Sequence, residues 1–158
     1  MIGNTVKVLA LASLALLYGC ASTPSVERME AAVSGYTLPQ TPIEDMGLVY
    51  VVRPSSSGTL VRFNVFLDDR EPESEMGYTR GNQYIYFYAT PGRHLISSKA
   101  ENWAELELDV KSGEVAYVRQ DVQMGVIMAR NGLTALNELE GRYLVKESSL
   151  GTVIKAHK

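Results

Sequence analysis

A single cysteine, a single tryptophan and two histidines among 158 residues close most routes to a chemical site. Cys20 has no second thiol to pair with, which excludes an internal disulfide and a multi-thiolate metal centre. His94 and His157 are the only imidazoles, and no His-Glu-x-x-His zinc motif, phosphate-binding glycine loop or nucleophile elbow is present. Positive charge is not in excess, with 15 Lys and Arg against 18 Asp and Glu. That balance argues against a nucleic-acid partner and against a polybasic membrane contact. Acidic residues are missing before Glu27, and no apolar run reaches the ~20 residues that a membrane-spanning helix needs.

What is present at the start is a leader. Lys7 precedes the apolar run Val8 to Leu17, and small residues follow, which is the pattern of a secretory signal peptide. The run closes on Leu17-Tyr18-Gly19-Cys20, which resembles the lipobox of bacterial lipoproteins. The resemblance implies cleavage between Gly19 and Cys20, a diacylglyceryl group on the Cys20 sulfur and an acylated amino terminus. This covalent lipid is the one cofactor-like group expected. Several acyl chains, at about 0.8 kcal/mol per buried methylene, hold a protein on a membrane without a spanning segment. By the same resemblance to bacterial lipoproteins, in which Asp after the cysteine favours inner-membrane retention, Ala21 implies the outer membrane. Residues 1–19 are thus read as a cleaved signal peptide, and 20–46 as the lipidated cysteine and a flexible tether broken by Gly35, Pro39 and Pro42. Within it, Glu27 to Val33 has two turns of helix formers with Ser25 as cap, too few to stand alone.

From Gly47 to Lys158 the texture is that of one β domain. Leu48 to Arg53 is an apolar run stopped by Pro54, with a loop over Ser55 to Gly58. Leu60 to Leu67 alternates, placing Val61, Phe63, Val65 and Leu67 on one face. Tyr84 to Tyr88 and Arg93 to Ala100 follow, and Glu105 to Val110 alternates charged with apolar throughout. Lys111 to Glu114 reads as a hairpin turn into Val115 to Val122, and Asn131-Gly132 is the strongest short turn signal. Turns about every ten residues predict a mainly β fold, an antiparallel β-sandwich of about seven strands. Leu139 to Leu150 has some helical character, weakened by Gly141.

Four stretches carry a family resemblance: Leu48-Val49-Tyr50-Val51-Val52-Arg53-Pro54-Ser55, Val65-Phe66-Leu67-Asp68-Asp69, Pro91-Gly92-Arg93-His94, and Ser112-Gly113-Glu114 with Ala116-Tyr117-Val118-Arg119. Together they are similar to an uncharacterised bacterial lipoprotein family, domain of unknown function 2846, over about residues 47 to 140. The resemblance implies a transthyretin-like or carboxypeptidase-regulatory-like sandwich and no assigned catalytic residues. The acidic segment Asp68 to Glu75 departs from the short basic hairpin expected there.

The candidate sites are few. His94 would need a nucleophile and an orienting group to support an enzyme, and His157 lies where a chain end frays. Asp68 to Glu75 is rich in carboxylates, but its spacing matches no calcium loop and Arg70 competes for the oxygens, so no metal is expected. Tyr84, Tyr86 and Tyr88 share one face of a strand whose other face carries Ile85 and Phe87. Two outcomes stay open: an outward tyrosine ladder suited to glycan stacking or a protein interface, or tyrosines covered by the C-terminal segment. Trp103 either extends such a patch or caps the core. The expectation is a lipid-anchored, non-enzymatic binding or assembly module whose partner is another envelope protein, with a glycan such as peptidoglycan as the alternative ligand.

Overall fold

The computed structural model describes residues 23–157. The leader, the Leu17–Cys20 motif and Ala21 lie outside them. The fold is a sandwich of two five-stranded sheets flanked on one side by two short helices. The first sheet has the order β8-β7-β1-β4-β9, from β8 (Arg130–Leu136), β7 (Val115–Gln123), β1 (Gly47–Arg53), β4 (Gln83–Ala89) and β9 (Ser149–Leu150). The second has the order β10-β3-β2-β5-β6, from β10 (Thr152–Val153), β3 (Glu75–Thr79), β2 (Phe63–Leu67), β5 (Gly92–Lys99) and β6 (Trp103–Val110).

Strand β1 is the centre of this arrangement because it is apolar on both faces. All seven of its residues are buried. Val49 and Val51 meet Val65, Leu67, Met76, Ile85, Phe87, Ile96 and Val118 between the sheets. Leu48, Tyr50 and Val52 point the other way and form a second core with Tyr84, Tyr88, Tyr117 and Val145. A strand buried on both faces reads as a continuous hydrophobic run, as this one does.

The second core is roofed by helix and strap. Helix α2 (Glu138–Lys146) starts at Asn137, whose side chain accepts the Glu140 N–H at 2.9 Å. Helix α1 (Val26–Val33) starts at Ser25, whose hydroxyl accepts from the Arg28 N–H. The predicted cap is therefore the one used, and Met29 is the buried residue of α1. Arg142 donates to the Tyr36 carbonyl at 2.6 Å, and Lys146 donates to that of Ala32. Beyond Tyr36 the chain crosses the tyrosine face as a strap: the Gln40 N–H donates to the Tyr50 hydroxyl and the Tyr88 hydroxyl donates to the Thr41 carbonyl, each at 2.9 Å. The stretch read as a tether is thus, from Ser25 onward, part of the folded unit.

The expected mainly β sandwich is the fold found; among the described residues it has eight strands of five or more residues and two short ones, with parallel pairs of β1 with β7 and β4 with β9 among the antiparallel ones. Several local expectations are corrected. Lys111 to Glu114 is a turn but not a hairpin, since it carries the chain from β6 in one sheet to β7 in the other. Asn131 and Gly132 lie inside β8, paired with Val122 and Asp121. The buried Asn131 side chain donates to the Ser98 carbonyl, and Asn102 accepts the Asn131 N–H at 2.8 Å; these tertiary bonds outweigh the local turn preference. Leu60 and Val61 are not in a strand. The Arg53 guanidinium gathers residues 57–61 into a loop by donating to the carbonyls of Val61, Ser57 and Gly58 at 2.7, 2.7 and 2.8 Å, and β2 begins only at Phe63.

Candidate binding surfaces

The tyrosine ladder is not an open surface. Ile85 and Phe87 fill the inter-sheet core as expected, but Tyr84 and Tyr88 on the opposite face are each only 7% exposed beneath α2, the strap and the C-terminal segment. Tyr86 is half-buried between them. Of the two arrangements the sequence left open, the covered one is found, and the cause is simple: rings on this face gain more from a second apolar layer than from water, and nearby backbone groups satisfy two of the hydroxyls. Tyr50 stacks on Tyr117 with centroids 5.9 Å apart and meets Tyr84 edge-on at 5.7 Å. Burial pushes the Tyr117 phenol up to about 12, and raises those of Tyr50, Tyr84 and Tyr88 as well.

His157 is likewise docked rather than frayed. Its ring stacks on Tyr88 at 5.0 Å, and the Ala156 carbonyl accepts the Tyr88 N–H at 2.7 Å.

His94 is a strut. Its Nδ1 lies 2.8 Å from Asp68 Oδ1 and its Nε2 lies 2.7 Å from the Thr90 carbonyl. Each ring nitrogen faces an acceptor within the fold, which ties the turn after β2 to the start of β5. A general base needs one ring nitrogen turned toward its substrate, and this ring has both committed. The carboxylates of the acidic segment also diverge. Asp68 serves His94, Asp69 accepts the Glu71 N–H, and Glu75 accepts from the Asn64 amide. Arg70 reaches out of the segment to Glu105 at 2.8 Å. No group of three or more metal-ligating side chains occurs among the described residues.

The outer face of the second sheet is different. Strand β6 alternates as predicted: Leu106 and Leu108 pack against the core while Glu105, Glu107 and Asp109 are exposed. Trp103 shares that outer face and is half-buried. Its ring sits 5.3 Å from Phe66, with the Arg70 guanidinium 4.6 Å and the Lys99 ammonium 5.1 Å from its centroid. On the same sheet Tyr78 lies between two further cations, Arg62 at 4.6 Å and Arg80 at 5.8 Å. Helix α2 packs on β7 and β1 of the first sheet and α1 packs on α2, so this face has an aromatic and cationic surface with no element of the described chain laid across it. Sequence reasoning named Trp103 but not its companions, because Phe66, Arg70, Tyr78 and Lys99 come from separate strands and loops.

The family described as protein of unknown function (DUF2846) matches residues 44–133, more than half of the chain. The chain belongs to that family. The DUF2846 match runs from the residues before β1 into β8, so it takes in both sheets' long strands and the Trp103 face. Helices α1 and α2, which roof the tyrosine core, fall outside it. No curated protein matches this DUF2846 chain.

Proposed function

We propose that this chain is a lipid-anchored lipoprotein of the bacterial cell envelope, held at the outer membrane by an acylated Cys20. Its sandwich serves as a non-enzymatic protein-binding or assembly module for another envelope protein. The leader and the Leu17-Tyr18-Gly19-Cys20 motif support the location. One observation carries the binding role: of the two sheets, one is roofed while the other leaves Trp103, Tyr78 and flanking arginines on its outer surface. Trp, Tyr and Arg are the residue types that dominate the energetics of protein interfaces. The commitment of both His94 nitrogens within the fold supports a role without catalysis.

The test uses full-length protein in cells, with a photoreactive residue at Leu95 or Glu107 on the open face. The expected result is a discrete protein adduct that weakens with Trp103→Ala at normal protein level, and that is lost with Cys20→Ala as the anchor fails. Adducts unchanged by Trp103→Ala would remove this face from the interface. Retention on cell-wall material with no protein adduct would replace the protein partner with a glycan. Labelled palmitate should enter the wild type and not Cys20→Ala; continued labelling of the variant would refute lipidation at that residue.

A further inference from the structure

One end of the sandwich presents apolar side chains that no described residue buries. The loop between β7 and β8 carries Met124, Val126, Ile127 and Met128, which are 95%, 90%, 88% and 53% exposed, and Leu60 from the loop after β1 is 91% exposed. The two loops are neighbours, since a Cβ on Gly58 would stand 3.3 Å from the Ala129 methyl. Contiguous exposed apolar surface of this kind marks a contact with another phase or partner.

These side chains are held out from below. The Glu101 carboxylate accepts the N–H groups of Val126, Ile127 and Met128 at 3.0, 2.9 and 2.6 Å, and the Glu101 N–H donates to the Ala129 carbonyl. Arg53, fully buried, holds the Leu60 loop by its carbonyls. Both loops are therefore shaped by a charged group bonded to backbone, while their apolar side chains stay exposed.

Charge is sorted along the same axis. At the apolar end, the segments 55–62, 80–82, 99–102, 123–130 and 146–149 carry Arg62, Arg80, Lys99, Arg130 and Lys146 against Glu147 and Glu101. Glu101 is engaged by three backbone N–H groups. At the other end, the segments 42–46, 68–74, 90–93 and 111–114 carry Glu44, Asp45, Asp68, Asp69, Glu71, Glu73 and Glu114 against Arg70, Arg93 and Lys111. The chain's overall acidity spoke against a basic membrane contact; the fold removes that objection by leaving the apolar end with more bases than acids and the opposite end with more acids than bases.

We propose that this tip is a membrane contact: Met124, Val126, Ile127, Met128 and Leu60 enter the interface of an anionic phospholipid bilayer, and the surrounding cations meet lipid phosphates. Apolar side chains backed by a basic rim match the layering of such a surface, acyl chains beneath phosphate. The acidic end is repelled by the same surface, so the domain stands upright on it. The apolar tip itself lies outside the Trp103 face, with Arg62, Arg80 and Lys99 on the border between the two, and the contact does not depend on how the amino terminus is attached.

The test places an environment-sensitive fluorophore on Ile127→Cys in the full chain, reconstituted in phosphatidylglycerol/phosphatidylethanolamine vesicles. The control site is Glu71→Cys at the acidic end. The expected result is a blue-shifted emission at 127 that brominated lipids quench, with neither effect at 71. The Arg62→Glu/Arg130→Glu variant, checked for unchanged thermal unfolding, should lower the quenching at least several-fold, as should phosphatidylcholine vesicles or added salt. A label at 127 quenched by aqueous iodide and not by brominated lipid would overturn the proposal. So would shielding at 127 that appears only when envelope proteins are added, which would make the tip a protein contact.

Discussion

Gly141 of α2 lies flat against the Tyr117 ring of β7: a Cβ at position 141 would stand 2.1 Å from Tyr117 Cγ and 2.6 Å from its Cβ. The glycine that weakens the helix by local preference is what lets the helix reach the sheet. Gly141→Ala should gain about 1 kcal/mol in helix propensity and lose about 1–3 kcal/mol to overpacking. The atoms it meets are the root of a buried ring, which cannot swing aside, so the net effect is destabilising. A urea midpoint below that of the wild type is the expected outcome; a higher midpoint would show that the helix does not sit this close.

Arg53 offers a second stability test. Its guanidinium is fully buried, lies 3.8 Å from the Phe63 ring centroid, and bonds three carbonyls of the following loop. Replacing it by Met keeps the bulk and strands those acceptors, at a cost of about 2–4 kcal/mol by the usual worth of charged hydrogen bonds and orphaned polar groups. Arg53→Lys should recover only part of this, because one ammonium cannot match the fork that spans Ser57, Gly58 and Val61. Chemical denaturation of the two variants checks the order, wild type above Lys above Met.

The parts of the fold that were legible are those where side-chain pattern and burial coincide. The unbroken apolar run of β1 signalled a strand ended by Pro54, and the alternation of β6 signalled one wet face. Ser25 signalled a helix start. What escaped was decided by partners distant in sequence. Asn131-Gly132 has every local reason to turn, yet Ser98 and Asn102 hold it in a strand. Val61 fits the alternation of β2, yet Arg53 draws its carbonyl into a loop. The tyrosine face showed its amphipathic character in the sequence, but its roof comes from α2 and a strap read as linker. The exposed tip escaped for a related reason: the carboxylate that shapes residues 126–128 sits at position 101.

Tyr117 gives the sandwich an alkaline limit. Burial lifts its phenol from about 10 in the unfolded chain to about 12 in the folded one. Between those values the unfolded chain has released a proton that the folded chain retains, so stability is full below the lower value and falls as pH rises through the higher. Tyr50 and Tyr84 shift in the same direction and add to the slope. The denaturation midpoint should therefore drop across this range, and Tyr117→Phe should flatten the drop while leaving the midpoint near neutral pH almost unchanged. A profile of the variant that superimposes on the wild type would assign the alkaline transition elsewhere.

Glu101 sets the acid counterpart, confined to one loop. Hydrogen bonds from the backbone N–H groups of Met128, Val126 and Ile127 hold its carboxyl below the ordinary value of about 4.3. A group depressed in the folded state stabilises above its unfolded value and loses that contribution as pH falls through the folded one, so the order of residues 126–128 is present at neutral pH and is lost on acidification. Glu101→Gln imposes part of that loss at neutral pH, since its amide offers one acceptor oxygen where the carboxylate offered two and turns N–H groups toward N–H donors. Amide exchange at 126–128, corrected for intrinsic rates, should speed up about tenfold in the variant, the equivalent of one lost hydrogen bond. The amides of β1 should keep wild-type protection. Equal exchange in both proteins would mean that the loop holds its shape without Glu101.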